Sequence, residues 1–477
     1  MIKNNTLEFI QKNQQTYSDS YESMNWLTPE SAKTASDLRD ELIHSIFEHP
    51  GAAAGWRFSR TKLFSHDISP GCDLCGKGDW SCLFINGICN ARCFYCPSAQ
   101  NEKGHPMTST VEFRDPHEYA SYVDAFNIKG VSFSGGEPFM TFDRVLLFLK
   151  TLRAKVNRPL YIWMYTNGIL VTEDKLKMLR DNGLDEIRFD ISANQYSLEA
   201  LKKALGIIPK VTVEIPAIPE DLEQTRQVIK ELYERGVNYL NLHQLRCTQF
   251  NKTAFIQRGY TFLHGPGVTV LETELNALKL IRYALKEKIA LPINYCSFTY
   301  RNQFQAAGAK HRTALKIKAA YENITSTGYI RSMSLFGEPE QINTIHEHLV
   351  LQQMDSGLWK RSKACDQLLF NADLWPYIDF SNVRLKVSYS AASLKTAVSY
   401  QHPFKEVVLG KKKKVVIERY IKEPGFWFEQ DQIHQFAHEY LQSEPGSPVN
   451  LRPGLPIDRL NEVSQYEKFT SGLAVYY

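Results

Sequence analysis

The chain has 477 residues, 43% hydrophobic and 23% charged, with a formal net charge of +4. That length suits two or three domains, the composition is that of a globular protein, and so small a charge does not mark a nucleic-acid binder. No apolar run reaches membrane-spanning length, and the opening MIKNNTLEFIQKNQQ lacks the apolar core of a signal peptide.

In chain order, residues 1–70 read as a helical preface. Residues 29–49 alternate polar and apolar side chains near helical spacing and stop at Pro50-Gly51, before a small-residue break at 51–55. Next comes Gly71-Cys72-Asp73-Leu74-Cys75-Gly76-Lys77-Gly78. Two cysteines spaced by two residues, with glycines for a tight turn, read as a metal knuckle. It would be half of a second metal site, an iron–sulfur cluster or zinc. Cys296, in Asn294-Tyr295-Cys296-Ser297, is the first choice for a further ligand and Cys82 the second. The plainer reading is two incidental thiols in a glycine-rich loop. Cys247 and Cys365 stand alone and read as buried thiols. Nine cysteines, odd in number and clustered, suit a reducing cytoplasm better than disulfides.

From residue 81 short β-rich runs alternate with helical patterns. Strands are predicted at 82–86, 131–134, 160–165, 186–191, 211–215 and 239–243, and helices at 116–126, 142–155, 173–182 and 222–235. This rhythm predicts a parallel sheet with right-handed crossovers. The first strand runs into Cys89-Asn90-Ala91-Arg92-Cys93-Phe94-Tyr95-Cys96-Pro97. Three thiols at i, i+4 and i+7 can turn towards one point, as an iron–sulfur cluster requires. Three ligands for four irons leave one iron open. Zinc sites more often use cysteine pairs two residues apart.

This loop resembles the C-x3-C-x-aromatic-C signature of the radical S-adenosylmethionine (SAM) superfamily. The resemblance implies an α/β fold, a partial (β/α)6 barrel with its chemistry at the C-terminal strand ends. It implies a [4Fe-4S] cluster on Cys89, Cys93 and Cys96 whose open iron chelates SAM. An electron from the cluster then releases a 5′-deoxyadenosyl radical, and Tyr95 packs near the adenine. Gly135-Gly136-Glu137-Pro138 resembles the GGEP motif that holds the amino group of SAM: the glycines admit a close ligand and Glu137 accepts from an ammonium. Thr166-Asn167-Gly168 is similar to the TNG turn of such enzymes. Asp190 and Ser192 are expected partners for ribose hydroxyls, with an Arg188–Asp190 structural ion pair as the alternative. Apolar residues in the stretch 214–219 would wall the adenine. His243 would reach substrate or be a satisfied core histidine. Residues 71–104 resemble, more narrowly, a radical SAM family related to pyruvate formate-lyase activating enzyme, with its GCxLC knuckle, its CFYCP and a later NYCS. This chain departs from it at Cys82, where the family has an aliphatic residue, and at Glu137, where aspartate is common.

A helix at 272–286 and a strand at 291–296, returning towards the knuckle, follow. Arg301, Lys310, Arg312 and Lys316 read as a solvated helix face, with contact to an anionic substrate as the alternative. Beyond residue 323 a strand at 329–335, a helix at 338–353, strands at 383–389 and 406–409, a lysine hairpin at 410–414 and a strand at 415–420 predict a small α+β domain. Residues 445–477 read as a Pro-rich tail docked on the barrel. The expected division is a helical extension at 1–70, a radical SAM core at 71–315 and an α+β domain at 316–477.

The expected function is reductive cleavage of SAM to modify a peptide or small molecule, in the cytoplasm, with a flavodoxin- or ferredoxin-like reductase as electron donor. Neither membrane nor nucleic acid is expected as a partner. The alternatives are an activating enzyme that makes a glycyl radical on a partner protein, and a non-catalytic iron–sulfur scaffold or sensor.

Overall fold

The computed structural model describes residues 4–49, 51, 53–442 and 457–473. Pro50, Ala52 and, of the Pro-rich tail expected at 445–477, residues 445–456 and 474–477 lie outside them. No helix among the described residues is long and apolar enough to cross a membrane. The chain forms two compact units, one of residues 1–108, 112–305 and 471–477, the other of 109–111 and 306–470. The preface expected as a separate extension thus falls within the first unit, and the boundary expected at 315/316 stands at 305/306.

The first unit opens with α1 (Asn4–Thr16) and α2 (Pro29–Phe47), then the hairpin β1 (Ala54–Arg57) and β2 (Lys62–Ser65), and α3 (Pro70–Gly76). Strands and helices then alternate: β3 (Trp80–Ile88), α4 (Pro116–Ala125), β4 (Gly130–Gly135), α5 (Phe142–Lys155), β5 (Tyr161–Thr166), α6 (Glu173–Asp181), β6 (Glu186–Phe189), α7 (Glu199–Ala204), β7 (Lys210–Pro216), α8 (Leu222–Glu234), β8 (Tyr239–His243), α9 (Leu271–Lys286) and β9 (Ile293–Cys296). Helix α5 shows why these segments fold so. Val145, Leu146, Phe148, Leu149 and Leu152 recur at helical spacing and are buried, while Asp143 in the first turn and Arg153 and Lys155 in the last complement the helix dipole.

Strands β3 to β9 pair in sequence order and all in parallel. The segment expected to return to the knuckle is therefore a seventh parallel strand, one more than six units supply. Beyond it β2 pairs antiparallel with β9, and β1 with β2. Past β3 the sheet continues to a short antiparallel strand at Met107–Thr108, and β1 and β3 do not pair with each other, so the barrel is partial.

The knuckle is not a glycine turn. Cys72 and Cys75 lie on α3, whose Ser69 N-cap accepts from the Cys72 N–H at 3.2 Å and whose first residue is Pro70. Its glycines serve close packing. A Cβ on Gly71 would stand 2.3 Å from the Arg188 guanidinium, and one on Gly76 2.1 Å from the Phe58 ring.

The second unit is α10 (Ala306–Ile317), β10 (Ile330–Phe336), α11 (Pro339–Leu351), β11 (Trp359–Arg361), β12 (Gln367–Phe370), β13 (Arg384–Lys395), β14 (Phe404–Val408), β15 (Lys414–Phe428), α12 (Gln430–Tyr440) and α13 (Ile457–Glu467). Helix α10 belongs here because Thr313 donates to the Ala392 carbonyl of β13 at 2.8 Å, which accounts for the earlier boundary. The antiparallel order is β11-β12-β10-β13-β15-β14. Strands β11 and β12 were not foreseen, and β13 and β15 run well past their predicted ends. Helix α13 falls where only a Pro-rich tail was expected. Met333, Leu335, Ile342, Leu349, Phe370, Leu385, Val387, Phe428 and Phe436 share its core. Cys365, expected to be buried, is half-exposed at a turn with φ of 57°.

Candidate functional site

Strand β3 delivers the cysteine loop, and β4 holds it. The N–H of Gly136 donates to the Asn86 carbonyl at 3.0 Å and that of Glu137 to the Ile88 carbonyl at 2.7 Å, one residue before Cys89. The backbones approach so closely that a Cβ on Gly135 would stand 2.1 Å from the Asn86 oxygen, and one on Gly136 2.0 Å from the Ile88 oxygen. Gly135 also has φ of +125°, which favours glycine. The glycines expected to admit a ligand thus bind the neighbouring strand. Asn86, which the sequence did not single out, clamps the turn by donating to the Glu137 carbonyl at 2.9 Å and to Thr141 at 2.7 Å.

Glu137 is buried, and its carboxylate accepts from Phe139 N–H at 3.0 Å, Thr166 hydroxyl at 2.9 Å and Asn167 N–H at 2.7 Å. Burial raises its pKa, opposed by those donors. Through these bonds it ties the ends of β4 and β5. Asn167 carries the tie onward, donating to Asn90 at 2.8 Å and lying 3.6 Å from Cys89 Sγ.

At the end of β6, Asp190 accepts from the Tyr95 hydroxyl at 2.9 Å, and Ser192 donates to Asp190 at 2.6 Å and meets the same hydroxyl at 2.7 Å. These two residues, expected to hold ribose, hydrogen-bond the aromatic of the cysteine loop. Burial raises the Asp190 pKa against the hydrogen bonds from Ser192 and Tyr95. The Tyr95 carbonyl accepts from Asn251 at 3.0 Å. Phe94 and Tyr95 pack against a cluster that includes Tyr17, Met24, Phe255 and Phe262. The N-terminal segment therefore lies along one flank of the loop.

Two of the three loop sulfurs meet N–H groups: Gln100 donates to Cys96 Sγ at 2.7 Å and the Ala91 N–H lies 3.4 Å from Cys89 Sγ. Burial pushes the Cys93 thiol up to about 12 and raises that of Cys89. Thiolates at such positions need a cationic partner. Among the described residues no three His, Cys, Asp or Glu side chains close on a point that one metal ion could fill. Ligands of an iron–sulfur cluster need not do so, because each cysteine binds its own iron. The donor set fits such a cluster.

A second group of residues lines a cavity of the same unit, among them Lys62, Cys72, Cys75, Arg188, Glu214, His243, Cys296 and Arg301. The structure thus brings Cys72, Cys75 and Cys296 together. Cys82 faces Ser132 in the β3–β4 register and is not on the cavity wall, and Cys247 is buried elsewhere, beside Tyr17. Arg188 does not pair with Asp190. It is buried between Glu186, at 2.9 Å, and Glu214, at 2.7 Å, and also reaches Ser69 at 2.9 Å. His243 Nε2 lies 2.6 Å from the other Glu214 oxygen. Arg301, expected on a solvated face, turns into the cavity. Lys62 had no sequence signal, because its neighbours come from strands far along the chain.

Burial alone would raise the Glu214 pKa, but Arg188 and then His243 hold the carboxyl well below the usual carboxylate range. Its contribution to stability is complete above the unfolded carboxyl value of about 4.3 and fades as pH falls towards the lower folded value. Glu214→Gln should therefore flatten the acid limb of a plot of melting temperature against pH. An acid limb as steep as that of the wild type would count against the assignment.

Residues 83–242 match the family model of the Radical SAM superfamily. The chain is 28% identical over 295 residues to a putative glycyl-radical enzyme activating enzyme of Methanocaldococcus jannaschii, spanning 59% of this chain and 77% of that one. It is 31% identical over 127 residues to a probable GTP 3′,8-cyclase of Methanococcus aeolicus, 26% of this chain and 40% of the other. Among solved structures, Streptococcus suis SuiB bound to S-adenosylmethionine aligns over 68% of this chain and 71% of its own, with a TM-score of 0.34 and 13% identity.

Proposed function

We propose, for a chain that belongs to the radical SAM superfamily through residues 83–242, that it cleaves SAM reductively in order to modify a peptide or small molecule. The observation that carries this reading is the tie from the start of the cysteine loop through Gly136 and Glu137 to Asn167, which holds the three-cysteine loop at the end of a parallel strand. Cys89, Cys93 and Cys96 would hold a [4Fe-4S] cluster. With SAM bound beside it, the group held by these three cysteines would supply the electron for reductive cleavage of SAM.

The chain's own residues give the loop its shape. Gln100 and the Ala91 N–H offer donors to its sulfurs. Tyr95, pinned by Asp190 and Ser192, offers a fixed aromatic face beside them. The segment with Tyr17 and Met24 covers one flank of the loop and narrows the approach to it, which favours a small or extended substrate over a folded domain. The second reading is activation of a partner protein as a glycyl radical, favoured by the 28% identity to a putative activating enzyme. In either case a flavodoxin- or ferredoxin-like protein would deliver the electron.

Anaerobically reconstituted protein, reduced with dithionite and given SAM, should yield methionine and 5′-deoxyadenosine; the Cys93→Ala variant should yield neither. A wild type that yields neither is the scaffold or sensor. Deuterated extract separated by size decides between the substrates. Deuterium entering 5′-deoxyadenosine from the small-molecule and peptide fraction supports the first reading, and transfer from the protein fraction alone supports the second.

A further inference from the structure

We propose that Cys72, Cys75 and Cys296 hold a second iron–sulfur cluster, walled in by β2, α3 and β9. The cysteines come from distant parts of the chain, two from α3 and one from the end of β9, yet line one cavity. Zinc would draw its ligands to within about 2.0–2.3 Å of a single ion. Among the described residues no such convergence exists. A cluster with one thiolate on each of three irons does not require the three sulfurs to meet at one point.

Charge supplies an independent argument. Lys62 is 1% exposed and its ammonium makes no hydrogen bond or ion pair among the described residues, lying 4.3 Å from the centre of the Tyr300 ring. Arg301 enters the same cavity with no carboxylate bonded to it among the described residues, its guanidinium 5.1 Å from the centre of the Phe298 ring. Arg188 is already answered by Glu186 and Glu214. Bare cations are costly to bury, so the cavity calls for an anion. A cluster on three thiolates is one.

The sulfurs also have donors in place. Gln305 Nε2 lies 2.8 Å from Cys75 Sγ, and an Arg188 nitrogen 3.8 Å from Cys72 Sγ. Hydrogen bonds to sulfur are among the features that set cluster potentials. Arg301 and Gln305 stand at the two ends of the π-helical turn Arg301–Gln305, a rare geometry that often marks functional sites.

The test is iron and sulfide content of the full chain after anaerobic reconstitution with ferrous iron and sulfide. The wild type should carry about eight irons, and both the Cys89/Cys93/Cys96→Ala and the Cys72/Cys75/Cys296→Ala variants about four. The first variant, reduced with dithionite, should still show the electron paramagnetic resonance signal of a reduced cluster. In that background Lys62→Met should keep the iron and lower the reduction potential, since a nearby positive charge is lost. This arm stands even where the Cys72/Cys75/Cys296 variant fails to fold. The proposal is overturned if the Cys89/Cys93/Cys96 variant binds no iron or about one zinc, or if Lys62→Met leaves the potential unchanged. Failure of the first site shows separately, as an unchanged iron count on removing Cys89, Cys93 and Cys96.

Discussion

An alanine at Gly136 should abolish the proposed SAM cleavage without removing a single proposed cluster ligand. Its Cβ would stand 2.0 Å from the Ile88 oxygen, 2.4 Å from the Ile88 carbonyl carbon and 2.8 Å from the Ile88 nitrogen. All three are backbone atoms, so no side-chain rotation relieves the clash. Either β3 or β4 must give way, and the next residue after Ile88 is Cys89. The hydrogen bonds from Gly136 to Asn86 and from Glu137 to Ile88 would go with it. We expect a loss of roughly 3 kcal/mol or more, at or beyond the upper range for overpacked sites. Urea unfolding measures that loss, and 5′-deoxyadenosine formation measures the chemistry. Gly206→Ala is the control. Gly206 has φ of +80° with nothing within 4 Å of the added Cβ, so only the left-handed backbone cost of about 1–2 kcal/mol applies. Equal losses at the two positions would show that the close approach of β4 to β3 is not what matters.

Replacing Arg188 by methionine should cost about 3–5 kcal/mol, the range for breaking a buried ion pair by removing one partner. Glu186 and Glu214 would be left buried without their cation. The bond from Arg188 to Ser69 would also go, and Ser69 caps the helix carrying Cys72 and Cys75. With Arg188 absent, burial would dominate at Glu214 and push its pKa upward. The double variant Arg188→Met/Glu214→Gln should regain part of the loss, because the two residues act as a pair. Chemical denaturation of the two single variants and the double measures the coupling. Strictly additive losses would mean that Arg188 stabilises the unit by packing alone.

The parallel sheet was legible because each of its strands is a short β-rich run set off by a helix with a buried stripe, as Val145 to Leu152 illustrate. The cysteine loop was legible because its spacing is local. The seventh strand is legible as a strand returning towards the knuckle but not as a member of the parallel sheet, since nothing in residues 293–296 names its partner. Helix α3 was misread as a turn although Ser69-Pro70 is a readable helix start; the glycines outweighed it. The inward side chains were least legible. Lys62 and Arg301 look like surface cations in a sequence, and only the pairing of β2 with β9 turns that region inward. Glu137 shows the reverse case. A motif was recognised, while its partners, Thr166 and Asn167, decide what the carboxylate does.

The pairing of β2 with β9 also governs the order of assembly. Ser65 and Leu291, which meet there, are 226 positions apart in the chain. During synthesis the β1–β2 hairpin leaves the ribosome long before its partner exists, and contacts of such separation form late and slowly. The strands from β3 to β8 can zip up in turn while the early hairpin waits beside an unfinished edge. In pulse-labelled hydrogen exchange, amides of residues 62–65 should gain protection after those of β4 to β6. The cavity with Lys62, Cys75 and Cys296 thus stays open to solvent until the unit is almost complete, and anything enclosed in it must arrive in that interval.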